Sequence, residues 1–445
     1  MPSQPPVVPP VEIRPSACPG LLRIVASADG GICRIKLPGG RLQAEGARAI
    51  AEAAERYADG VLEATNRANL QIRGVHAGAE TALPAVLLAA GLGPRVAAAD
   101  DVRNLLLSPL AGLDPAQARD ISPLATQLLD LLQDTPRFHA LSPKFAVQLD
   151  GGESLAMLEH PHDIWLSAMD AGRFAFGLAG CPPLRAGDRP ALAAVAGEQV
   201  PALVEALLNR FLDLAGEGIS RMRQLLAKTS ADELLARLDL PLQRGAAVDN
   251  WLRAAVEPFA QLGVRPQRQP GLCSVGAGFA LGRLDSRRLQ ALADLAEQRG
   301  DGSLRLTPWQ GVLLPNVPAE YAASTLAALA GLGLLTAAEQ PLARLIACSG
   351  SSGCARGLAD TKGDALRLAE RLRAPLPPGV HLCGCPRSCA AAHVAPLTLL
   401  AVADGRYDLY RRATGHAGFG QPLARHLTLD DAAHRLRDPG VFPDA

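Results

Sequence analysis

Aromatic side chains are scarce in this 445-residue chain, at 4% of the total, so its core and helices must be built from alanine and leucine. Charge of one sign is also missing. Lys+Arg and Asp+Glu both number 44, and this balance proposes neither nucleic acid nor an anionic membrane surface as a partner. No uncharged apolar run reaches the roughly 18 residues of a membrane span. The opening MPSQPPVVPPVEIRP has no apolar core of a secretory signal and reads as a proline-rich leader. A G-x-G-x-x-G between a strand and a helix is absent too, so no dinucleotide site is visible. Nine cysteines, an odd number, are not spread as a disulfide framework. That pattern suits a reducing cytosol and metal binding, and the chain is expected to be soluble and cytoplasmic.

Five of the nine cysteines crowd between Cys348 and Cys389. Four form two close pairs, Cys348-x5-Cys354 in ACSGSSGCARGLADTKGDA and Cys385-x3-Cys389 in HLCGCPRSCAAAH. Thiolates are soft ligands that select iron–sulfur clusters, zinc or copper(I). Structural zinc sites usually space paired cysteines by two to four residues, and only the second pair fits that range. Gly350, Gly353 and Gly384 allow the backbone close to inorganic sulfide, and Pro386 holds the second loop in a fixed turn. An iron–sulfur cluster on Cys348, Cys354, Cys385 and Cys389 is the reading this favours. Cys383 is a spare buried thiol, and Cys18, Cys33, Cys181 and Cys273 read as isolated structural cysteines.

The chain also repeats itself. Pro19 to Leu21 and Pro270 to Leu272 both read Pro-Gly-Leu, each before a glycine-rich, strand-prone stretch. Amphipathic helices follow, roughly Ala44 to Tyr57 and Ser286 to Gln298, closed by Gly60 and Gly300. Strands LEATNRANLQIRGV and LRLTPWQGVLLPNV end the two copies. A unit of this size cannot bury its own sheet face, whereas two copies about a pseudo-twofold axis can. The expected class is α+β, with two small half-domains alternating with two larger α/β domains. The boundaries read as leader 1–13, half-domain 14–95, α/β domain 96–250, half-domain 251–335 and cluster-bearing α/β domain 336–445. Asp404-Gly405 marks a hairpin turn near the end.

With repeat and cysteine spacing together, residues Arg14 to about Asp408 resemble the sulfite/nitrite reductase superfamily, most closely its precorrin-3B synthase branch. The resemblance implies the duplicated reductase fold, with ferredoxin-like half-domains, and a 4Fe-4S cluster on the four cysteines. Three further segments match: Thr65-Asn66-Arg67 leading to Arg73, Val102-Arg103-Asn104 before Ser108-Pro109-Leu110, and Pro143-Lys144-Phe145. In the reductases these basic residues surround the anion at the distal face of siroheme, and a second lysine commonly follows the first by two residues. Here that place is Ala146. Its loss weakens the case for reducing a small anion, which needs charge and protons delivered to it. The ending Asp150-Gly151-Gly152 and Arg305-Leu306-Thr307-Pro308-Trp309 are similar to the precorrin-acting branch.

That branch implies O2-dependent hydroxylation of precorrin-3A at C20 with γ-lactone formation. It also implies a cluster feeding single electrons, a separate reductase fed by a donor such as NADH, and room for an additional iron. A precorrin bears many carboxylates, so Arg67, Arg73, Arg103, Lys144 and Arg305 are the expected substrate-binding cations, with Arg67, Arg103 and Lys144 nearest the chemistry. His160-Pro161-His162 reads as a surface turn, and His393 as a donor to a cluster sulfur or a substrate carboxylate. Two alternatives stay open: a siroheme-dependent sulfite or nitrite reductase, and a non-catalytic iron–sulfur carrier or redox sensor.

Overall fold

A computed structural model of the chain describes residues 16–372, 379–413 and 416–438. The leader 1–13 lies outside them. Four five-stranded sheets account for the strands. The expected helices form at Ala44–Tyr57 and Ser286–Arg299. On the first, Ala47, Ile50, Ala51 and Ala54 recur at helical spacing and are buried. Their small side chains let the two helices pack against each other, and exposed Arg48 bridges them to Asp294 at 2.7 Å and Glu297 at 2.6 Å.

The helix ends set the register of the duplication. Gly60 N–H and Gly302 N–H each bond the carbonyl six residues back, on Ala54 and Ala296, with φ of +70° and +77°. Gly302, rather than the expected Gly300, is therefore the left-handed counterpart of Gly60.

The half-domains are more entangled than two stacked copies. Strand Arg41–Gln43 of the first repeat pairs with Ser303–Arg305 and edges the second repeat's sheet. Strand Arg283–Asp285 returns the exchange, pairing with Val61–Glu63 on the first sheet. Each repeat thus covers an open edge of the other, and one core runs through both.

The two α/β domains share a topology. In one sheet Leu105–Leu107, Val147–Asp150 and His162–Ala168 run parallel, and Arg173–Gly180 and Ala193–Ala196 follow antiparallel. In the other, Leu345–Ala347, Val380–Cys383 and Leu397–Ala403 are parallel, with Arg406–Arg411 and Gln421–Leu427 antiparallel. Loops that follow parallel strands gather at one end of a sheet, where such folds place their ligands. Both cysteine pairs sit in these loops, just after Ala347 and Cys383. The same loops of the first domain hold a buried polar network instead. Arg253 pairs with Asp150 at 2.7 and 3.0 Å and donates to the Glu153 carbonyl at 2.6 Å. Among the described residues no helix is long and apolar enough to cross a membrane.

Candidate functional site

The two cysteine loops are stitched together by backbone. Gly384 N–H donates to the Cys348 Sγ at 3.2 Å, and Leu358 N–H donates to the Gly384 carbonyl at 3.0 Å. Thr361, at the start of helix Thr361–Arg371, donates to the Cys348 carbonyl at 2.7 Å. Gly350 has φ +64°, and a Cβ there would stand 2.5 Å from Thr361 N, so the loop admits no side chain at this turn. Burial pushes the Cys389 thiol up, and the charges of Cys385, Cys348 and Cys354 add to the shift. The four sulfurs therefore belong to one electrostatic neighbourhood. Cys383 stands apart in role. Burial pushes its thiol up to about 12, and its Sγ donates to the Cys385 carbonyl at 2.9 Å. It is a protonated donor beneath the loop.

These residues fit a four-iron cluster. Each thiolate serves its own iron in such a cluster, so the sulfurs stand farther apart than around one ion, and N–H donors to sulfur stabilise it. Among the described residues no three His, Cys, Asp or Glu side chains stand close enough to hold a single metal ion. The site for an additional iron implied by the sequence reading is accordingly not found among them.

A basic face meets the second cysteine loop. Asn66 Nδ2 donates to the Cys389 carbonyl at 3.3 Å and to the Ala390 carbonyl at 3.2 Å, bringing the Thr65-Asn66-Arg67 turn against it. Arg67, half-buried, donates to the Lys144 carbonyl at 3.4 Å. Burial, then Arg221 and Arg34, lower its pKa to about 10, which reports positive charge gathered around it. Arg34 is lowered by burial and raised by Cys18 and Cys389, so it faces the second loop as well. Next to it Lys36 donates to the Asp101 carbonyl at 2.7 Å, and burial lowers its pKa to about 7. Arg103 lies deeper. Its Nη2 is 3.6 Å from Asp100 Oδ1, an ion pair too long for a hydrogen bond, and neither Nε nor Nη2 makes a hydrogen bond. Asn104 Nδ2 holds the Lys144 loop by donating to the Pro143 and Phe145 carbonyls at 2.9 and 3.1 Å.

Of the five cations expected at a substrate, Arg67 lies on this face with its guanidinium on the Lys144 carbonyl, and Arg103 is buried behind it beside Asp100. Arg73 and Arg305 serve the protein itself. Arg73 pairs with Asp29 at 2.7 Å and Glu63 at 3.4 Å and donates to the Gly353 carbonyl at 2.7 Å. Arg305 donates to the Pro109 and Ala111 carbonyls at 3.0 and 2.9 Å, among charged neighbours Arg41, Asp301 and Asp120. Arg34, Lys36 and Arg221 are the cations the sequence reading passed over. For Arg34 and Lys36 the signal was present in CRIKLPGG, where basic residues two apart share one strand face opposite Cys33 and Ile35.

The histidines correct an expectation. His160 and His162 are each 4% exposed and Asp163 1%, so the segment is buried and not a surface turn. His160 is hydrogen-bonded to the Asn66 backbone, and its ring lies 5.1 Å from that of His393, whose Nε2 is 3.7 Å from Glu159. Burial depresses both imidazoles, which are neutral near pH 7. They line a cavity of about 220 Å3 with Asn66, Phe259, Trp309 and Ala391. One side of the cysteine loop thus meets an apolar hollow and another meets cations.

A duplicated half-domain frame with thiol pairs at the sheet ends defines a redox protein of the reductase type. The chain belongs to the nitrite/sulfite reductase family. The family's ferredoxin-like half-domain matches residues 26–90 and 265–332, and its 4Fe-4S domain matches residues 98–245. That last stretch is the first α/β domain, whose single cysteine is Cys181. The chain is 34% identical to the chloroplastic ferredoxin–nitrite reductase of Zea mays over 82% of its own length and 68% of that protein. It is 29% identical to the precorrin-3B synthase of a Sinorhizobium species over 93% of itself and 88% of that protein. The Mycobacterium tuberculosis NirA structure superposes with a TM-score of 0.73 at 22% identity, covering 91% of this chain and 79% of that one, and shares the fold. The family consists of oxidoreductases built around a 4Fe-4S cluster, with siroheme among its cofactors.

Proposed function

We propose that the chain is a precorrin-3B synthase, hydroxylating precorrin-3A at C20 with O2 and closing a γ-lactone. Position 146 carries this reading. Ala146 is buried, and its N–H donates to Asp163 Oδ2 at 3.0 Å where reductases of this family commonly place a second lysine. The face keeps cations for carboxylates but lacks one that a small anion would need. Similarity to the Sinorhizobium protein over nearly the full length of both chains supports the same substrate, whereas the maize reductase is matched over about two thirds of its length.

Monooxygenation places one oxygen in the product and the other in water, taking up two electrons and two protons. A bound cluster supplies single electrons, received from a separate reductase. The protein's own residues bind and orient. Arg34, Arg67 and Lys144 present donors to peripheral carboxylates. The hollow of about 220 Å3 takes only an edge of the macrocycle, being smaller than the roughly 300–1,000 Å3 of drug-sized pockets. Trp309 and Phe259 supply its apolar wall.

Anaerobic purification followed by absorption spectroscopy with iron and sulfide analysis tests the reading. Broad iron–sulfur absorption and O2-dependent turnover of precorrin-3A are expected. A stoichiometric siroheme, with its strong Soret band, would replace it with nitrite or sulfite reduction, a reading that the 34% identity to the maize enzyme keeps in view. For Arg67→Ala, loss of a half-buried charge partner is expected to cost about 2–5 kcal/mol of tetrapyrrole binding with an unchanged cluster spectrum. Equal affinity in the variant and the parent, measured by fluorescence quenching, removes Arg67 from the site.

A further inference from the structure

Beneath the first cysteine loop lies a buried carboxylate that neither the fold nor substrate binding explains. Glu63 sits between buried Leu62 and Ala64 on strand Val61–Ala64 and is 8% exposed. Burying a carboxylate there is costly unless cations and donors surround it. Four groups do so from three parts of the chain. Arg73 Nη1 is 3.4 Å away on the neighbouring strand, Arg283 Nη2 3.2 Å away on the strand exchanged from the second repeat, and Lys362 Nζ 3.4 Å away on the helix after the loop. Ser349, next to Cys348, donates to Glu63 Oε2 at 3.3 Å.

The far end of the loop is held by the same assembly. Arg73 Nη2 and Ser27 Oγ both donate to the Gly353 carbonyl, at 2.7 and 2.6 Å, beside Cys354. Burial pushes the Glu63 carboxyl up, but Lys362, Arg73 and Arg283 pull it below its ordinary range, so it is ionised. Lys362 in turn feels the Cys348 thiol, and Arg73 the Cys354 thiol.

We propose that Glu63 is a positioning residue that ties the first cysteine loop to both repeats and whose charge, with that of Lys362, sets the reduction potential of the cluster held there. The inference rests on the four-cysteine cluster assignment and is independent of the substrate. A reduced cluster carries one more negative charge than an oxidised one, so a nearby carboxylate disfavours reduction and a nearby ammonium favours it. The two side chains touch, so a general loosening of the loop would move the potential the same way in both variants, whereas charge moves it in opposite directions.

The experiment is an EPR-monitored redox titration of the full chain, purified anaerobically with its cluster, alongside iron and sulfide content. Glu63→Gln keeps the shape and is expected to favour reduction about tenfold, a rise of about 59 mV for one electron. Lys362→Met is expected to lower the potential by a similar factor. Both should keep the parent's iron content. Unmoved potentials, or shifts of the same sign, overturn the proposal. If Glu63→Gln fails to take up iron, Lys362→Arg and Lys362→Met decide it: the first keeps the charge and must hold the parent's potential, while the second must lower it, and equal shifts in the two overturn the proposal. A parent protein without iron and sulfide overturns the cluster assignment itself, and this proposal with it.

Discussion

Cys389→Ser is expected to lose the cluster's absorption, its iron and its sulfide, while Cys181→Ser keeps all three at the parent's level. Both thiols are pushed up by burial, so the contrast does not come from acidity. It comes from company. Cys389 shares a neighbourhood with Cys385, Cys348 and Cys354, and its carbonyl is fixed by Asn66. Cys181 has Glu159 and Asp188 as its charged neighbours and no other thiol. A serine hydroxyl is a hard, weakly acidic ligand and does not replace a thiolate on iron. Iron content measured colorimetrically after anaerobic reconstitution checks this. Equal loss in the two variants would move the cluster away from the second loop, and so would full retention in both.

How much of this was legible in sequence follows from the range of each signal. The thiol pairs and the two amphipathic helices are local patterns, and they sit in the structure where spacing places them. The strand exchange was not legible, because Arg41–Gln43 and Arg283–Asp285 are three residues each, too short to show alternation. Arg73 and Arg67 look alike as basic residues near one strand. What separates them is Asp29 and Glu63, which claim Arg73 from elsewhere in the chain. His160 has flanking proline and aspartate, the signature of a turn, yet Asp163 accepts from Ala146 and Met222 N–H groups and pairs with Arg221 at 2.9 Å, which draws the segment inward. Local composition cannot report such distant partners.

Arg253→Ala is expected to lower stability by about 3–5 kcal/mol, the cost of removing one partner from a buried ion pair, with iron content unchanged. Arg253 and Asp150 are 5% and 2% exposed at the side chain, and the guanidinium is the one cation paired with that carboxylate among the described residues. Ser167 also donates to Asp150, and Ser154 to nearby Asp114, so the whole network fills the loops that in the second domain carry cysteines. Glu153 sharpens the test. Burial first, then Asp150, pushes its carboxyl well above the ordinary range, so the fold favours its protonated form. A raised carboxyl contributes stability at low pH that is lost as pH climbs from about 4.5 toward the folded value. Glu153→Gln is therefore expected to flatten the stability–pH curve above that point, measured by urea unfolding at several pH values. An unchanged slope would mean that Glu153 is ionised in the fold. Because this network occupies the first domain, Arg253→Ala should separate stability from cluster content, just as Cys389→Ser separates cluster content from the first domain. A variant that lost both together would show that the two halves of the duplication fold as one unit through their exchanged strands.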